Sequence, residues 1–195
     1  MFLKVSQPFV TVNAALPSGC KLLVTGANDL VAAWVVRELL ENGFLVRGTI
    51  RSDAKGIYLR KQFASYGDGL EIAVVPDIER VHFTRQSRMS MPSSIQYTAS
   101  PYRFDAENPK ELIDPAVRVT TSISHSAMKH GSASGHHLVL CCCTSKPWGR
   151  MLPNHMKYSA SKTLAEKAAC GCYNQNKEKL EWDLITLCPP AILAS

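Results

Sequence analysis

A tyrosine and a lysine four residues apart are the side chains of this chain best suited to proton transfer. Tyr158 and Lys162 enclose the segment Y-S-A-S-K, and on a helix this spacing places both side chains on one face, one turn apart. A phenol with an ordinary pKa near ~10 is a poor acid or base at neutral pH. An ammonium held close by favours the phenolate, so the tyrosine can exchange a proton with an alcohol or carbonyl oxygen.

A glycine turn near the start of the chain is suited to binding phosphate. Gly26 follows a short apolar segment and precedes a helical pattern, and main-chain N–H groups at such a helix start can reach a pyrophosphate. In the spacing G-x-x-G-x-x-G/A, the second position falls on Asp29 and the third on Ala32. The carboxylate of Asp29 obstructs close approach and repels a phosphate. On its own the motif is weak, and an ordinary strand-to-helix turn stays the alternative.

Two cations follow the second predicted strand. NAD-binding units usually place Asp or Glu at this point to hold the ribose hydroxyls, whereas this chain has Arg51, with Lys55 four residues on. The planar fork of an arginine and the point charge of a lysine both suit a 2′-phosphate. A solvated basic loop would explain the two residues equally well in isolation. Together with the glycine turn, they favour NADP as the cofactor.

Strands and helices that could position these residues alternate along the chain. We predict strands at 20–24, 44–50, 70–75, 95–100, 137–142 and 182–187, and helices at 30–42, 55–66, 109–129 and 158–174. The first strand, turn, helix and second strand form a βαβ mononucleotide unit. The alternation predicts an α/β fold, a Rossmann-type doubly wound parallel sheet with right-handed crossovers. The pattern fails at 79–94, and 144–157 reads as an irregular, proline-containing stretch.

Length and composition favour one soluble domain. The chain has 195 residues, of which 46% are hydrophobic, enough to close a core around a sheet. We expect a leader at 1–19, without the features of a signal peptide, and an NAD(P)-binding domain at 20–195. The net charge of +6 is scattered, so we expect no nucleic-acid partner. No apolar stretch approaches the ~20 residues of a membrane span, so we expect a cytoplasmic protein.

The seven cysteines do not form a framework. They stand at 20, 141, 142, 143, 170, 172 and 188, and adjacent cysteines of a strand point to opposite faces, so 141–143 cannot all bind one metal. His136 and His137 lie nearby, but the spacing lacks paired C-x-x-C ligands. We therefore expect buried thiols that act as small apolar residues, and no metal.

Five separated blocks occur in the order of a known family. Together they resemble the extended short-chain dehydrogenase/reductases, and more narrowly the dihydroflavonol-reductase-like fungal ketone and aldehyde reductases, including those of methylglyoxal type. The match runs from about Lys21 to Pro190, with gaps. The blocks are LLVTGANDLVAAWVVRELLENGFLVRGTIRS, GLEIAVVPDI, YTASPYRF, ELIDPAV and YSASKTLAEKAA.

The resemblance implies a role for each matching residue. Tyr158 would be the catalytic acid, and Lys162 would lower its pKa while holding the nicotinamide ribose. Cys143 is the nearest counterpart of the family's carbonyl-polarising serine, although a thiol is a weak hydrogen-bond donor. The residues implied to line NADP are Gly26, Asn28, Asp29 and Leu30 at the pyrophosphate, Arg51 and Lys55 at the 2′-phosphate, Asp77 and Ile78 beside the adenine, Thr98, Ala99 and Ser100 beneath the cofactor, and Pro189 near the nicotinamide.

Several departures from the family bear on activity. Asp29 stands where the family has Gly, and Cys141-Cys142-Cys143 stands where it has Thr-Ser-Ser. Fourteen residues separate Cys143 from Tyr158, fewer than the family usually has. We also expect most of the family's substrate lobe to be missing from this chain. The resemblance implies an NADPH-dependent reductase of a small aldehyde or ketone. The alternative is an inactive, truncated relative that binds nucleotide weakly or serves as an interaction module.

Overall fold

The computed structural model contains six strands and four α-helices within the residues that it describes, which are 16–78, 93–99, 106–130, 136–141, 154–180 and 182–187. The strands are β1 (Lys21–Val24), β2 (Leu45–Ile50), β3 (Leu70–Val74), β4 (Ser94–Tyr97), β5 (His136–Cys141) and β6 (Trp182–Leu187). The helices are α1 (Leu30–Glu41), α2 (Asp53–Gln62), α3 (Lys110–His130) and α4 (Asn154–Asn176), with short 3₁₀ segments at Ala64–Gly69 and Lys177–Lys179.

The six strands form one parallel sheet in the order β3-β2-β1-β4-β5-β6. This is the order of a doubly wound dinucleotide-binding sheet, and it reverses between β1 and β4. The predicted Rossmann-type α/β fold is therefore confirmed. The reversal leaves a crevice at the carboxyl ends of β1 and β4, where ligands of such sheets bind.

The helices α1 and α2 cover one face of β1, β2 and β3. Side chains of a strand alternate between faces, and Leu22 and Val24 of β1 join a buried cluster with Val36 of α1 and Leu59 of α2. The helix α1 ends in a Schellman motif, because Gly43 has a φ of +78° and the N–H groups of Gly43 and Phe44 bond to the carbonyls of Leu40 and Leu39. A glycine directly after the helix predicted at 30–42 is the sequence signal for this stop.

The helices α3 and α4 pack against each other on the opposite face. Leu23 alternates with Leu22 and Val24 along β1 and therefore lies on the other face of the sheet. It joins Ile123 of α3 and Ala169 of α4 in a second buried cluster. Small buried residues recur every four positions on both helices, which lets the two backbones approach closely. They are Ala116, Thr120 and Ser124 on α3, and Ser161, Ala165 and Ala169 on α4.

The boundaries of three elements differ from the sequence predictions by more than one residue. The helix α2 begins at Asp53 and ends at Gln62, since the chain tightens into the 3₁₀ segment Ala64–Gly69. The helix α4 begins at Asn154, inside the stretch expected to be irregular. The strand β4 ends at Tyr97. The pattern failed at 79–94; of this stretch, residues 79–92 lie outside the described residues, and Ser94 begins β4.

Two further sequence predictions are a leader at 1–19 and the absence of a membrane span. Residues 1–15 lie outside the described residues, and Leu16 packs into the first cluster, so the division at residue 20 stays a prediction. Within the described ranges, no helix combines the length and apolar character needed to cross a membrane.

A charged triad lies across the second face of β1, β2 and β3. Glu71 accepts hydrogen bonds from Arg47 and from Nζ of Lys21, the latter at 3.0 Å. Arg47 and Glu71 are partners in the register of β2 and β3. The hydrogen bond from Arg47 is the main cause that lowers the pKa of Glu71 below its ordinary value, against the opposing effect of burial. The charged triad therefore binds three neighbouring strands at one point.

The pKa of Glu71 is lowered from its ordinary value of 4.5, so the charged triad stabilises the fold above about pH 4.5. This contribution is lost as the pH falls below 4.5 and through the lowered pKa. We expect Glu71→Gln to lower the urea midpoint of unfolding at neutral pH, and the difference from wild type to shrink in acid. Glu178→Gln, on an exposed 3₁₀ residue, is the matched control. A Glu71→Gln deficit that stays constant with pH would contradict this account.

Candidate cofactor-binding and catalytic site

Thr25 joins the two strands that flank the crevice. Its side chain is completely buried, and its hydroxyl oxygen accepts hydrogen bonds from the main-chain N–H groups of Thr98 at 3.1 Å and Ala99 at 3.0 Å. In return the hydroxyl of Thr98 donates to the carbonyl of Thr25. The ends of β1 and β4, distant in sequence, are therefore held together by reciprocal bonds. Sequence reasoning placed Thr98 and Ala99 near the cofactor but missed Thr25.

The turn after β1 is also held from the side of β2. The N–H of Ala27 donates to the carbonyl of Thr49 at 2.9 Å, and the N–H of Gly26 donates to the Thr49 hydroxyl at 3.3 Å. A Cβ at Gly48 would lie 2.7 Å from the Cβ of Ala27, so only glycine allows the turn to pass this close to β2. A glycine in the middle of a strand was the available sequence signal for this approach.

Gly26 itself requires glycine for two reasons. Its φ is +63°, a conformation that side chains disfavour. A Cβ at this position would also lie 3.0 Å from Oδ2 of Asp29 and 3.1 Å from the Cβ of Ala99. The sequence prediction that Gly26 forms a tight turn into α1 is confirmed, and its contact with a pyrophosphate stays a prediction.

Asp29 occupies the cap position of α1. Its carbonyl accepts the first helical bond, from Ala33, at 2.8 Å, but its side chain makes no capping hydrogen bond. The carboxylate is exposed, and its Oδ1 lies 3.3 Å from Nδ2 of Asn28. Leu30, the next residue, is also exposed. A negative charge therefore lies at the helix start where a phosphate would bind.

The cations predicted for the adenosine end lie at the start of α2. Arg51 follows β2 directly, Lys55 lies in the first turn of α2, and both side chains are exposed. Asp53, between them, pairs instead with Arg60 at 3.1 Å. Within the described ranges, neither Arg51 nor Lys55 enters an ion pair. Both are therefore accessible to an anion at the carboxyl end of β2.

Tyr158 and Lys162 lie in the first half of α4. The Lys162 side chain is buried, with 5% of its surface exposed, and its Nζ lies 5.6 Å from the centre of the Tyr158 ring. The predicted arrangement on one helical face is thus confirmed, and the distance is that of a cation–π contact.

The other predicted site residues divide into two groups. Asp77 and Ile78 follow β3 at the same edge of the sheet, with Asp77 exposed and Ile78 packed on the second cluster. Cys143, Ser100 and Pro189 lie outside the described residues. In the described part of the chain, His, Cys, Asp and Glu side chains form no group of three placed to hold a metal.

Comparison with known proteins identifies relatives with the same architecture. No family model matches the chain. Aldehyde reductase 2 of Sporidiobolus salmonicolor is 32% identical over an alignment of 195 positions, which covers 85% of this chain and 56% of the relative. The ketoreductase azaE of Aspergillus niger is 28% identical over 88% of this chain and 57% of its own length.

A solved structure agrees with these sequence matches. The yeast methylglyoxal/isovaleraldehyde reductase Gre2, complexed with NADPH, superposes with a TM-score of 0.73 at 25% identity, over 87% of this chain and 57% of that chain. These proteins match the extended short-chain dehydrogenase/reductases that the sequence motifs resembled. The relatives include fungal aldehyde, ketone and methylglyoxal reductases, as the motifs predicted. The chain spans a little over half the length of the relatives that it matches.

The hydroxyl of Thr25 supplies the acceptor for two main-chain N–H groups. We expect Thr25→Val, which keeps the shape and removes the acceptor, to lower the free energy of unfolding by about 2–4 kcal/mol. Thr25→Ser keeps the hydroxyl and should cost less than about 1.5 kcal/mol. Urea unfolding of the three proteins measures both effects. A Thr25→Val variant as stable as wild type would show that the hydrogen bonds to the hydroxyl contribute little.

Proposed function

We propose that this chain is the cofactor-binding part of an NADP-dependent reductase that converts an aldehyde or ketone to an alcohol. The observation that carries the proposal is the buried ammonium of Lys162, 5.6 Å from the ring of Tyr158. Burying the ammonium of a lysine costs free energy unless the charge is paired or hydrogen-bonded. A phenol under such a charge is the acid that carbonyl reduction needs. Two of the relatives are a ketoreductase and an aldehyde reductase, which supports the same reaction class.

The residues present fit a dinucleotide at two points. The positive φ of Gly26 makes a tight turn into α1, and main-chain N–H groups at such a helix start can reach a pyrophosphate. Arg51 and Lys55 present two exposed positive charges at the end of β2, where the third phosphate of NADP distinguishes it from NAD. We propose that Gly26, Asn28 and Leu30 hold the pyrophosphate, that Asp77 and Ile78 flank the adenine, and that Thr98 and Ala99 lie beneath the cofactor.

The proposed chemistry divides between cofactor and protein. When bound, NADPH supplies the hydride. The hydroxyl of Tyr158 donates its proton to the carbonyl oxygen of the substrate, which leaves a phenolate. The ammonium of Lys162 stabilises that phenolate and thereby lowers the cost of the proton transfer. We also propose that Lys162 holds the nicotinamide ribose, as the family resemblance implies.

One observation favours a second candidate function, an inactive relative that binds nucleotide weakly. The carboxylate of Asp29 is exposed at the start of α1. It would face the pyrophosphate, and two like charges about 4 Å apart repel by about 1 kcal/mol even in bulk water. Cys143 replaces the family's serine and weakens the donor to the carbonyl. Measurements of nucleotide binding and turnover separate the two candidates.

Nucleotide titration is the first test of the proposed function. We expect NADPH to bind more tightly than NADH, measured by fluorescence or calorimetry. Arg51→Ala and Lys55→Ala should each weaken NADPH binding about tenfold or more and leave NADH binding unchanged. Lys61→Ala removes an equal charge from an exposed position of α2 and should change neither. No binding of either nucleotide to a folded protein would overturn the proposal.

Turnover is the second part of the same experiment. Oxidation of NADPH on addition of an aldehyde or ketone should occur with wild type and be lost in Tyr158→Phe, which keeps the ring and removes the proton. NADPH binding with no turnover for any carbonyl would favour the inactive relative.

Replacement of Asp29 tests the repulsion at the pyrophosphate. We expect Asp29→Gly to bind NADPH about tenfold more tightly, with little loss of stability because the side chain makes no capping bond. Asp29→Asn separates the causes, since it removes the charge and keeps the shape. Equal gains for Gly and Asn assign the effect to charge, and a gain for Gly alone assigns it to bulk. Unchanged affinity in both variants would show that Asp29 does not face the cofactor.

A further inference from the structure

One lysine links the start of α4 to the segment that precedes α3. Nζ of Lys157 donates hydrogen bonds to the main-chain carbonyls of Ala106 and Glu107, each at 3.0 Å. Lys157 immediately precedes Tyr158 in the first turns of α4. These bonds therefore act on the part of the helix that carries the proposed proton donor, across about fifty residues of sequence.

The segment that receives these bonds is itself firmly held. Asn108 caps α3, because its Oδ1 accepts from the N–H of Lys110 at 3.0 Å, and Oε1 of Glu111 accepts from the N–H of Asn108 at 3.1 Å. This reciprocal arrangement is a capping box, and Pro109 at the next position favours the helix start. Ala106 is 2% exposed. The capping box and the burial of Ala106 therefore fix the positions of the carbonyls that accept from Lys157.

Tyr158 lies between two attachments of α4. On its C-terminal side, the buried small residues that begin with Ser161 pack against α3. On its N-terminal side, Lys157 attaches the helix to the segment that precedes α3. Helix ends open more readily than helix interiors, so loss of these bonds would loosen the turn that carries Tyr158. The bonds to a charged donor are stronger than neutral ones.

We propose that Lys157 is a positioning residue for proton transfer: it holds the first turns of α4 against the start of α3 and so fixes the place of the Tyr158 hydroxyl. The inference rests on the proposed function. Misplacement of a reacting group by about 1 Å can cost about a hundredfold in rate. Lys157 itself touches neither substrate nor cofactor in this role, since its ammonium is directed to main-chain carbonyls.

The test compares three substitutions in the full chain. We expect Lys157→Met to lower kcat for carbonyl reduction about tenfold or more, with the Kd for NADPH and the KM for the carbonyl unchanged. Lys157→Arg should restore most of kcat, because a guanidinium can also donate to two carbonyls. Lys167→Met removes a lysine from an exposed position of the same helix and should behave as wild type.

Amide hydrogen exchange supplies the link between the contact and the rate. Exchange at residues 157–161 should be faster in Lys157→Met than in wild type or Lys167→Met, while exchange in the middle of α4 stays the same. An active wild type whose Lys157→Met variant keeps its kcat overturns the role of Lys157 alone, whatever the exchange shows. A wild type that neither binds NADPH nor reduces a carbonyl overturns the proposed function, and the role of Lys157 with it, before any variant is compared.

Discussion

The hydrogen bonds of Thr25 are the constraint on which the arrangement of this domain depends. The sheet reverses its strand order between β1 and β4, and two chain segments that leave their strands there must diverge to opposite faces. A buried hydroxyl that accepts two main-chain N–H groups keeps their first residues together. The turn at Gly26, held also by Thr49, can then begin α1 at a defined place beside Ala99. The junction therefore fixes the carboxyl ends of β1 and β4, where ligands of such sheets bind.

The second layer depends on small side chains. Alanine, serine and threonine recur every fourth residue along α3 and α4, so the two helices approach closely over most of their length. This close packing buries Lys162 to 5% exposure while Tyr158 stays half-buried one turn before it. The burial keeps the ammonium near the phenol ring. The chemistry proposed for the pair is thus a consequence of helix packing as much as of the two residue types.

Charge is distributed unevenly along the proposed binding edge. Exposed cations lie at the end of β2, whereas the carboxylate of Asp29 lies at the start of α1. A dinucleotide across this edge would be attracted at one phosphate position and repelled at another. The balance between this attraction and this repulsion decides how tightly the protein would bind a dinucleotide. The glycine turn and the start of α1, on which such binding depends, are otherwise present.

Local patterns in the sequence determined the six strands, the glycine turn, the stop at Gly43 and the common face of Tyr158 and Lys162. Each depends on residues within one or two turns of one another, so period and residue type suffice to predict it. The tertiary structure alone decided the contacts of Thr25 with Thr98, of Lys157 with Ala106, and of Glu71 with Lys21 and Arg47. It also showed that α4 begins at Asn154. These contacts join residues distant in the chain, and only the register of the sheet and the packing of the helices bring such residues within hydrogen-bond distance.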